Sequence, residues 1–193
     1  MTDIQRDPKK KYNKKYTAKE FFEFTKDKEE RYELIDGRIY MMASPNTEHQ
    51  RITREIGAEL RNYLKGKKCE PFMAPFDVVL FNKKNKKDKS QNVFQPDVFV
   101  VCDPKKISEE RIYGAPDFIV EVVSPSNSER DYIDKLSAYM KYDVKEYWII
   151  NPETKQVYVY IKGKSSSISY SFNDKIKVSI FDDFEIDFKE LQI

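Results

Sequence analysis

Residues 116–124 read Pro-Asp-Phe-Ile-Val-Glu-Val-Val-Ser, a β-branched apolar run with one carboxylate, Glu121, at its centre. A run of the same kind, Pro96-Asp97-Val98-Phe99-Val100-Val101, precedes it. Both are too apolar and too β-branched to be anything but strands buried on most of their surface. A glutamate there is expensive, because desolvating an unpaired carboxylate costs several kcal/mol. Glu121 is therefore expected to be paired, hydrogen-bonded or bound to a metal.

Around these two strands the pattern predicts an α/β chain. Thr17 can cap a short helix over Ala18–Phe24. Tyr32–Ile35 and Arg38–Met42 flank Asp36-Gly37, the strong signal for a tight hairpin. Ile52, Ile56, Leu60 and Leu64 fall four apart, which predicts an amphipathic helix over Asn46–Leu64 that Gly66 ends. Phe72–Phe81 and Val93–Cys102 are predicted as two long strands, and Pro116–Val123 as a third. Ser126 and Glu129 have capping-box spacing, so a helix should run from about Asn127 to Tyr142, with Ile133, Leu136 and Met140 on its core face and Tyr139 adjoining. Lys145–Ile150 is a fourth strand, and Val157–Ile161, Ile168–Phe172 and Lys177–Ile180 supply late ones. The order helix, strand, strand, strand, helix, strand, with extra hairpins, makes an α/β sandwich around a mixed central sheet.

At 193 residues the chain is one domain by size, expected over residues 16–193 after a flexible basic tail at 1–15. Lys and Arg total 35 against 33 Asp and Glu, so any basic surface must be local. Two lysine runs offer one: Lys9-Lys10-Lys11 with Lys14-Lys15, and the turn carrying Lys83, Lys84, Lys86 and Lys87. By default each is a solvated tail or hairpin tip. Cys69 and Cys102 lack CxxC spacing and support neither a disulfide framework nor a zinc site, which fits a reducing compartment. The polar N-terminus and the lack of any roughly 20-residue apolar stretch predict a cytoplasmic protein with no membrane span.

The chemistry follows from the strands. Asp97 opens one core strand and Glu121 lies inside the next, and neighbouring strands are about 4.8 Å apart, so both carboxylates can reach one cation. A hard divalent ion such as Mg²⁺ takes one or two carboxylates with waters and phosphate oxygens. Lys135, on the following helix, is the nearest cation to orient or activate a water. Taken singly, Asp97 reads as a strand-entry turn and Lys135 as a solvent-facing partner of Asp131 at i,i+4. Glu121 resists such a reading.

Together these residues amount to a resemblance. Tyr32-Glu33-Leu34-Ile35-Asp36-Gly37, Gln95-Pro96-Asp97, Ala115 through Ser126, Asp131 with Lys135, and Lys145-Glu146-Tyr147-Trp148-Ile149-Ile150-Asn151-Pro152 are similar to the Uma2 family, formerly a domain of unknown function. That family belongs to the PD-(D/E)xK, restriction-endonuclease-like superfamily. The resemblance covers roughly residues 17–190. It implies an αβββαβ nuclease core and phosphodiester hydrolysis with Mg²⁺ or Mn²⁺, acting on nucleic acid, with DNA the expected substrate. Lys83, Lys84, Lys86 and Lys87, in the loop before the strand that carries Asp97, are then the candidate contacts to its phosphates. Related nucleases often pair to cut two strands, so a homodimer is compatible, with the late apolar strands offering an edge.

Carried over by position, Asp97 matches the strand aspartate and Glu121 the second acidic residue, making both metal ligands. The motif lysine should stand two residues after Glu121, where this chain has Val123; Lys135 is then the matching residue. Glu33 resembles an extra acidic residue from an N-terminal segment, and an exposed hairpin residue beside Arg31 is the competing reading. His49, the only histidine, reads as a capping or surface residue. Asp77 reads as outward-facing, Asp117 as a strand end, and Tyr147-Trp148 as core. Ser124 and Ser126 read as turn and cap residues, since no base in the motif activates them. The competing class is a catalytically silent nucleic-acid or protein-interaction module that keeps the fold; a small-nucleotide phosphoesterase would need a closed pocket.

Overall fold

The computed structural model describes residues 2–3, 14–81, 86–123 and 129–193. Strand β1 (Thr2–Asp3) precedes helix α1 (Ala18–Thr25), whose N-terminus is closed by a capping box between Thr17 and Glu20. Strands β2 (Tyr32–Ile35) and β3 (Arg38–Met41) form the expected hairpin, with Asp36 at φ 45° and Gly37 at φ 79° in the turn. Helix α2 (Thr47–Leu64) starts where the Asn46 side chain accepts the His49 N–H. It ends at Gly66, which takes φ 76°.

Next come β4 (Glu70–Met73), β5 (Asp77–Val79), β6 (Val93–Phe94), β7 (Val98–Val101), β8 (Arg111–Tyr113) and β9 (Phe118–Val122). Helix α3 (Glu129–Lys141) leads to β10 (Glu146–Asn151), β11 (Gln156–Ile161), β12 (Ile168–Ser171), β13 (Lys175–Lys177) and β14 (Glu185–Asp187).

The central sheet has the order β12-β11-β10-β9-β7-β4. Its β9–β10 pair is parallel, joined by a crossover through α3, and β4–β7 and β7–β9 are antiparallel. Thus α2, β4, β7, β9, α3 and β10 form the expected αβββαβ core. A second sheet runs β1-β3-β2-β6-β5-β8, and β13–β14 is a separate hairpin.

Alternation along the strands sorts the packing. Val98, Val100, Val120 and Val122 face Ile52, Ile56, Leu60 and Leu64 of α2. Phe99, Val101 and Ile119 face the other way, onto Ala138 and Tyr139 of α3 with Tyr142 just after it, and onto Val78, Phe94 and Ile112 of the second sheet. Helix α1 packs on that sheet through Ala18 and Phe21.

Four expectations are corrected. The two long strands over Phe72–Phe81 and Val93–Cys102 are each broken, so β4 and β7 lie in the central sheet while β5 and β6 lie in the second. The breaks fall at Pro75 and Pro96, which supply no backbone donor for a ladder. Cys69 and Cys102 are joined in a disulfide, because the antiparallel register that pairs Glu70 with Val101 brings residues 69 and 102 opposite one another. Cysteine usage therefore gives no argument for a reducing compartment. Ile133 is 66% exposed, and α3 buries Lys135, Ala138 and Tyr139 instead. The late strand expected at Lys177–Ile180 lies at Lys175–Lys177. Residues 124–128, including Ser124 and Ser126, and the lysines at 9–11, 83 and 84 are outside the described residues. Among the described residues no helix is long and apolar enough to cross a membrane.

The two turn glycines give a graded test. A Cβ on Gly66 meets nothing within 4 Å, whereas one on Gly37 comes 2.8 Å from Lys15 Cβ. Gly66→Ala should cost about 1–2 kcal/mol from the left-handed backbone alone. Gly37→Ala should cost more, because the Lys15 stem must also move. Urea unfolding of the two variants checks the order.

Candidate active site

The β7–β9 register pairs Val98 with Val120, so one residue further on Asp97 stands opposite Glu121. Such cross-strand neighbours hold their Cβ atoms about 4.5–5.5 Å apart. Asp97 Oδ2 accepts the Val122 N–H at 2.7 Å and lies 3.1 Å from His49 Nε2. His49 is buried, with Nδ1 3.4 Å from Thr53 Oγ1. Burial lowers its pKa, but the hydrogen bond and charge of Asp97 outweigh that and leave it raised.

Glu121 faces α3, which answers it with two donors four residues apart. Lys135 Nζ lies 3.1 and 3.2 Å from the two Glu121 oxygens, and Tyr139 donates its hydroxyl to Oε1 at 2.7 Å. Glu33 arrives from β2 in the second sheet, fully buried, and closes the cluster. Lys135 Nζ donates to Glu33 Oε1 at 3.0 Å and is also 3.0 Å from Oε2, an ion-pair contact without hydrogen-bond alignment. The Gln95 N–H donates to the same Oε1 at 3.0 Å.

The charges are unequal. Burial pushes the Glu121 carboxyl up, Lys135 and Tyr139 pull it down, and Asp97 and Glu33 push it up again, to about 7. Burial pulls the Lys135 ammonium down, but Glu121, Glu33 and Asp97 override it and hold its pKa well above the ordinary value of 10.5. Lys135 is thus a fixed cation, not a base at neutral pH. Burial and Glu121 raise the Tyr139 hydroxyl well above its usual range, so it remains a donor.

Glu33, His49, Asp97, Glu121 and Lys135 line one open cleft of about 240 Å³, together with Arg31, Arg54 and Met73. Among the described residues no three His, Cys, Asp or Glu side chains form a metal cage. The opposed Asp97 and Glu121 nonetheless fit a Mg²⁺-type ion, which keeps most of its waters and needs only one or two protein carboxylates. Glu121 is raised first by burial and then by the charges of Asp97 and Glu33, and a cation there would offset all three.

All four core residues expected from sequence, Asp97, Glu121, Lys135 and Glu33, meet here. Lys135 is only 7% exposed, so the reading of it as a solvent-facing partner of Asp131 is corrected, as is that of Glu33 as an exposed hairpin residue. His49 is no surface cap, and Asp77 does not face outward but accepts from Gln95 Nε2 at 2.9 Å. Asp117 closes strand ends as expected, accepting the Cys102 N–H at 2.8 Å. Of the basic turn, Lys86 and Lys87 are described and lie elsewhere. Leu80 N–H bonds to Asn92 O at the far end of the β5–β6 pair from Gln95, and beyond it Lys87 sits over the Tyr113 ring. Neither Lys86 nor Lys87 lines the cleft.

Sequence reasoning missed His49, Arg31, Gln95 and Tyr139. His49 had a signal, since it continues the α2 stripe one turn before Ile52 and Thr53. Tyr139 had one too, at i+4 from Lys135. Arg31 is brought in by long-range pairing and had none, and Gln95 stood only as part of the Gln95-Pro96-Asp97 motif.

Comparison with known proteins gives the fold and the family. Over 168 residues the chain is 25% identical to an uncharacterized protein of Synechocystis sp., covering 85% of each. Its fold is similar to the crystal structure of "a putative nuclease belonging to DUF820" from Anabaena variabilis, with a TM-score of 0.70 and 19% identity over 84% of this chain and 90% of that one. Residues 18–189 match the Uma2 family, described as "Putative restriction endonuclease". That match spans nearly the whole chain, and the protein belongs to the Uma2 family of restriction-endonuclease-like nucleases.

Proposed function

We propose that the protein hydrolyses phosphodiester bonds of DNA at this cleft, using Mg²⁺ or Mn²⁺ held by Asp97 and Glu121. The observation that carries the reading is the convergence of Asp97, Glu121, Glu33 and Lys135 from three different layers of the fold. A silent binding module has no need to hold three carboxylates around one buried ammonium, an arrangement that costs stability.

The cation, when bound, supplies Lewis-acid stabilisation of charge developing on the phosphate. The protein's own residues do the rest. Lys135 stays protonated and offers a fixed positive charge near the reacting phosphate, where excluded water makes it worth more than in solvent. Tyr139 and Lys135 hold the Glu121 carboxylate in place. His49 and the Val122 N–H do the same for Asp97 Oδ2.

A divalent ion should stabilise the protein by mass action, about 2.7 kcal/mol at a hundredfold excess over Kd. For a chain of this size that is a rise in Tm of about 5–10 °C. Asp97→Asn and Glu121→Gln should abolish it. The effect should also depend on pH. Glu121 is raised from its ordinary 4.5 to about 7, so in the metal-free protein its stability contribution is full below 4.5 and lost as pH rises through about 7. The cation binds the ionised form, so the rise in Tm should be larger at pH 8 than at pH 6. Equal shifts in wild type and both variants would remove the metal from the proposal.

Lys135 gives the second test. Lys135 is buried, so Lys135→Met leaves Glu33 and Glu121 without their shared cation. The variant should be about 3–5 kcal/mol less stable at neutral pH, and the deficit should shrink toward pH 5 as the carboxylates protonate. Its cleavage of plasmid or linear DNA in Mg²⁺ or Mn²⁺ should fall by orders of magnitude at a temperature where it remains folded. Wild-type cleavage by the folded variant would make the lysine purely structural.

A further inference from the structure

Arg31 stands directly before β2 and lines the cleft with Glu33, His49, Asp97, Glu121 and Lys135. Its Nε donates to Gln95 Oε1 at 2.7 Å. Gln95 is itself held on two sides, by Nε2 donating to Asp77 Oδ1 at 2.9 Å and by its backbone N–H donating to Glu33 Oε1 at 3.0 Å. An ionised carboxylate only accepts, so Asp77 sets which end of the Gln95 amide faces it and thereby aims the amide oxygen at Arg31.

This anchoring is unusual in what it omits. A planar guanidinium pinned at Nε has its plane fixed, yet Arg31 Nη2 is enclosed and has no hydrogen-bond partner among the described residues. None of the ion pairs among the described residues involves Arg31. A buried donor left unmade costs about 1–3 kcal/mol, more for a charged group, and native proteins keep few of them. The other cations of the cleft are committed. Lys135 is taken by Glu33 and Glu121, and Arg54 is bonded to Glu55 at 2.6 Å with its side chain 61% exposed.

A phosphodiester entering a cleft with three carboxylates needs a cation of its own. A guanidinium oriented by Gln95, lining the cleft and in no ion pair among the described residues, matches a phosphate in charge and planar geometry. We infer that Arg31 is the phosphate-binding residue of the cleft, its guanidinium, in no ion pair among the described residues, meeting the non-bridging oxygens of the phosphodiester from the cleft wall, and that Gln95 with Asp77 is its positioning relay. The inference rests on the proposed reading of the cleft for the statement that this phosphodiester is the one cut. Phosphodiester binding itself can be tested apart from cleavage.

The experiment is a fluorescence-anisotropy titration of a labelled DNA duplex with the full chain, in Ca²⁺ in place of Mg²⁺, across a series of salt concentrations. Cleavage in Mg²⁺ and in Mn²⁺ is measured alongside. Arg31→Met should weaken binding about 10- to 100-fold and lower the log-log salt slope by about one unit. Arg31→Lys keeps the charge but not the fork, so it should retain the wild-type slope and still bind severalfold more weakly. Melting curves establish that each variant is folded, and Arg31→Lys carries the test if Arg31→Met is not. A folded variant of either kind with wild-type affinity and slope overturns the inference. A wild type that binds through Arg31 but never cuts leaves the phosphate site standing and sinks the hydrolase reading. A wild type that cuts, with an Arg31→Met that binds and cuts equally well, does the reverse. A wild type that binds no oligonucleotide overturns both.

Discussion

One carboxylate in the wrong place organises this protein. Glu121 sits inside β9 between Val120 and Val122, both buried against α2, and its own side chain faces the opposite layer, where apolar side chains would leave it unpaired. The solution is α3, which presents Lys135 and Tyr139 one turn apart and covers Glu121 with a cation and a hydroxyl. That requirement fixes the rotation of the helix. Ile133, Leu136 and Met140 have good hydrophobic spacing, yet the helix turns its Lys135, Ala138 and Tyr139 face inward and leaves Ile133 in solvent. A buried charge left alone costs several kcal/mol, more than one exposed isoleucine forfeits, so the polar pairing decides the packing.

The compensation is incomplete, and the incompleteness is functional in character. Burial raises the Glu121 carboxyl, and Asp97 and Glu33 beside it add to what Lys135 and Tyr139 do not offset, so its pKa stands at about 7 instead of in the usual acid range. A well-packed apolar replacement of such a cluster is often as stable or more stable. The cluster therefore reads as a site maintained for its chemistry. Its position follows from the broken hairpin. Pro75 and Pro96 end one ladder and let the two strands cross into the second sheet, so Gln95 and Asp97, two residues apart, serve different layers. Gln95 turns to Glu33, Arg31 and Asp77, and Asp97 turns to Glu121 and His49. The cleft lies at that crossing, which is why Met73 and Ala74 also line it.

The local part of this was legible in the sequence. The Asp36-Gly37 turn, the Ile52 to Leu64 stripe and the apolar runs after Pro96 and Pro116 each carry their own periodicity or turn chemistry, and each forms. Glu121 and Asp97 were legible because a carboxylate in such a run contradicts its surroundings. What was hidden depends on contacts between distant residues. The Arg31–Gln95 bond spans 64 positions and the Lys135–Glu33 bond 102. The Cys69–Cys102 pair needed the strand register, and the second sheet needed the hairpin to break. His49 was misjudged for a different reason: its capping position at Asn46 and its place on the buried stripe are both real, and the stripe decides where its ring goes.

Val123, which stands where a lysine is expected two residues after Glu121, also has a physical account. Strand alternation puts residue 123 on the same side of β9 as Glu121, where it packs at the edge of the layer formed with α3. A lysine at 123 would therefore approach the carboxylate from the same layer that Lys135 occupies from the helix. Val123 can be apolar because α3 already brings the ammonium there. The two solutions are not equivalent, however. A strand lysine is tied to its carboxylate by two residues of backbone, whereas Lys135 reaches Glu121 only when α3 is docked, and reaches Glu33 only when the second sheet is docked as well. The same docking brings Tyr139 onto Glu121, a donor that a strand lysine would not carry with it. In this chain the cluster is a property of the assembled layers, formed together or not at all.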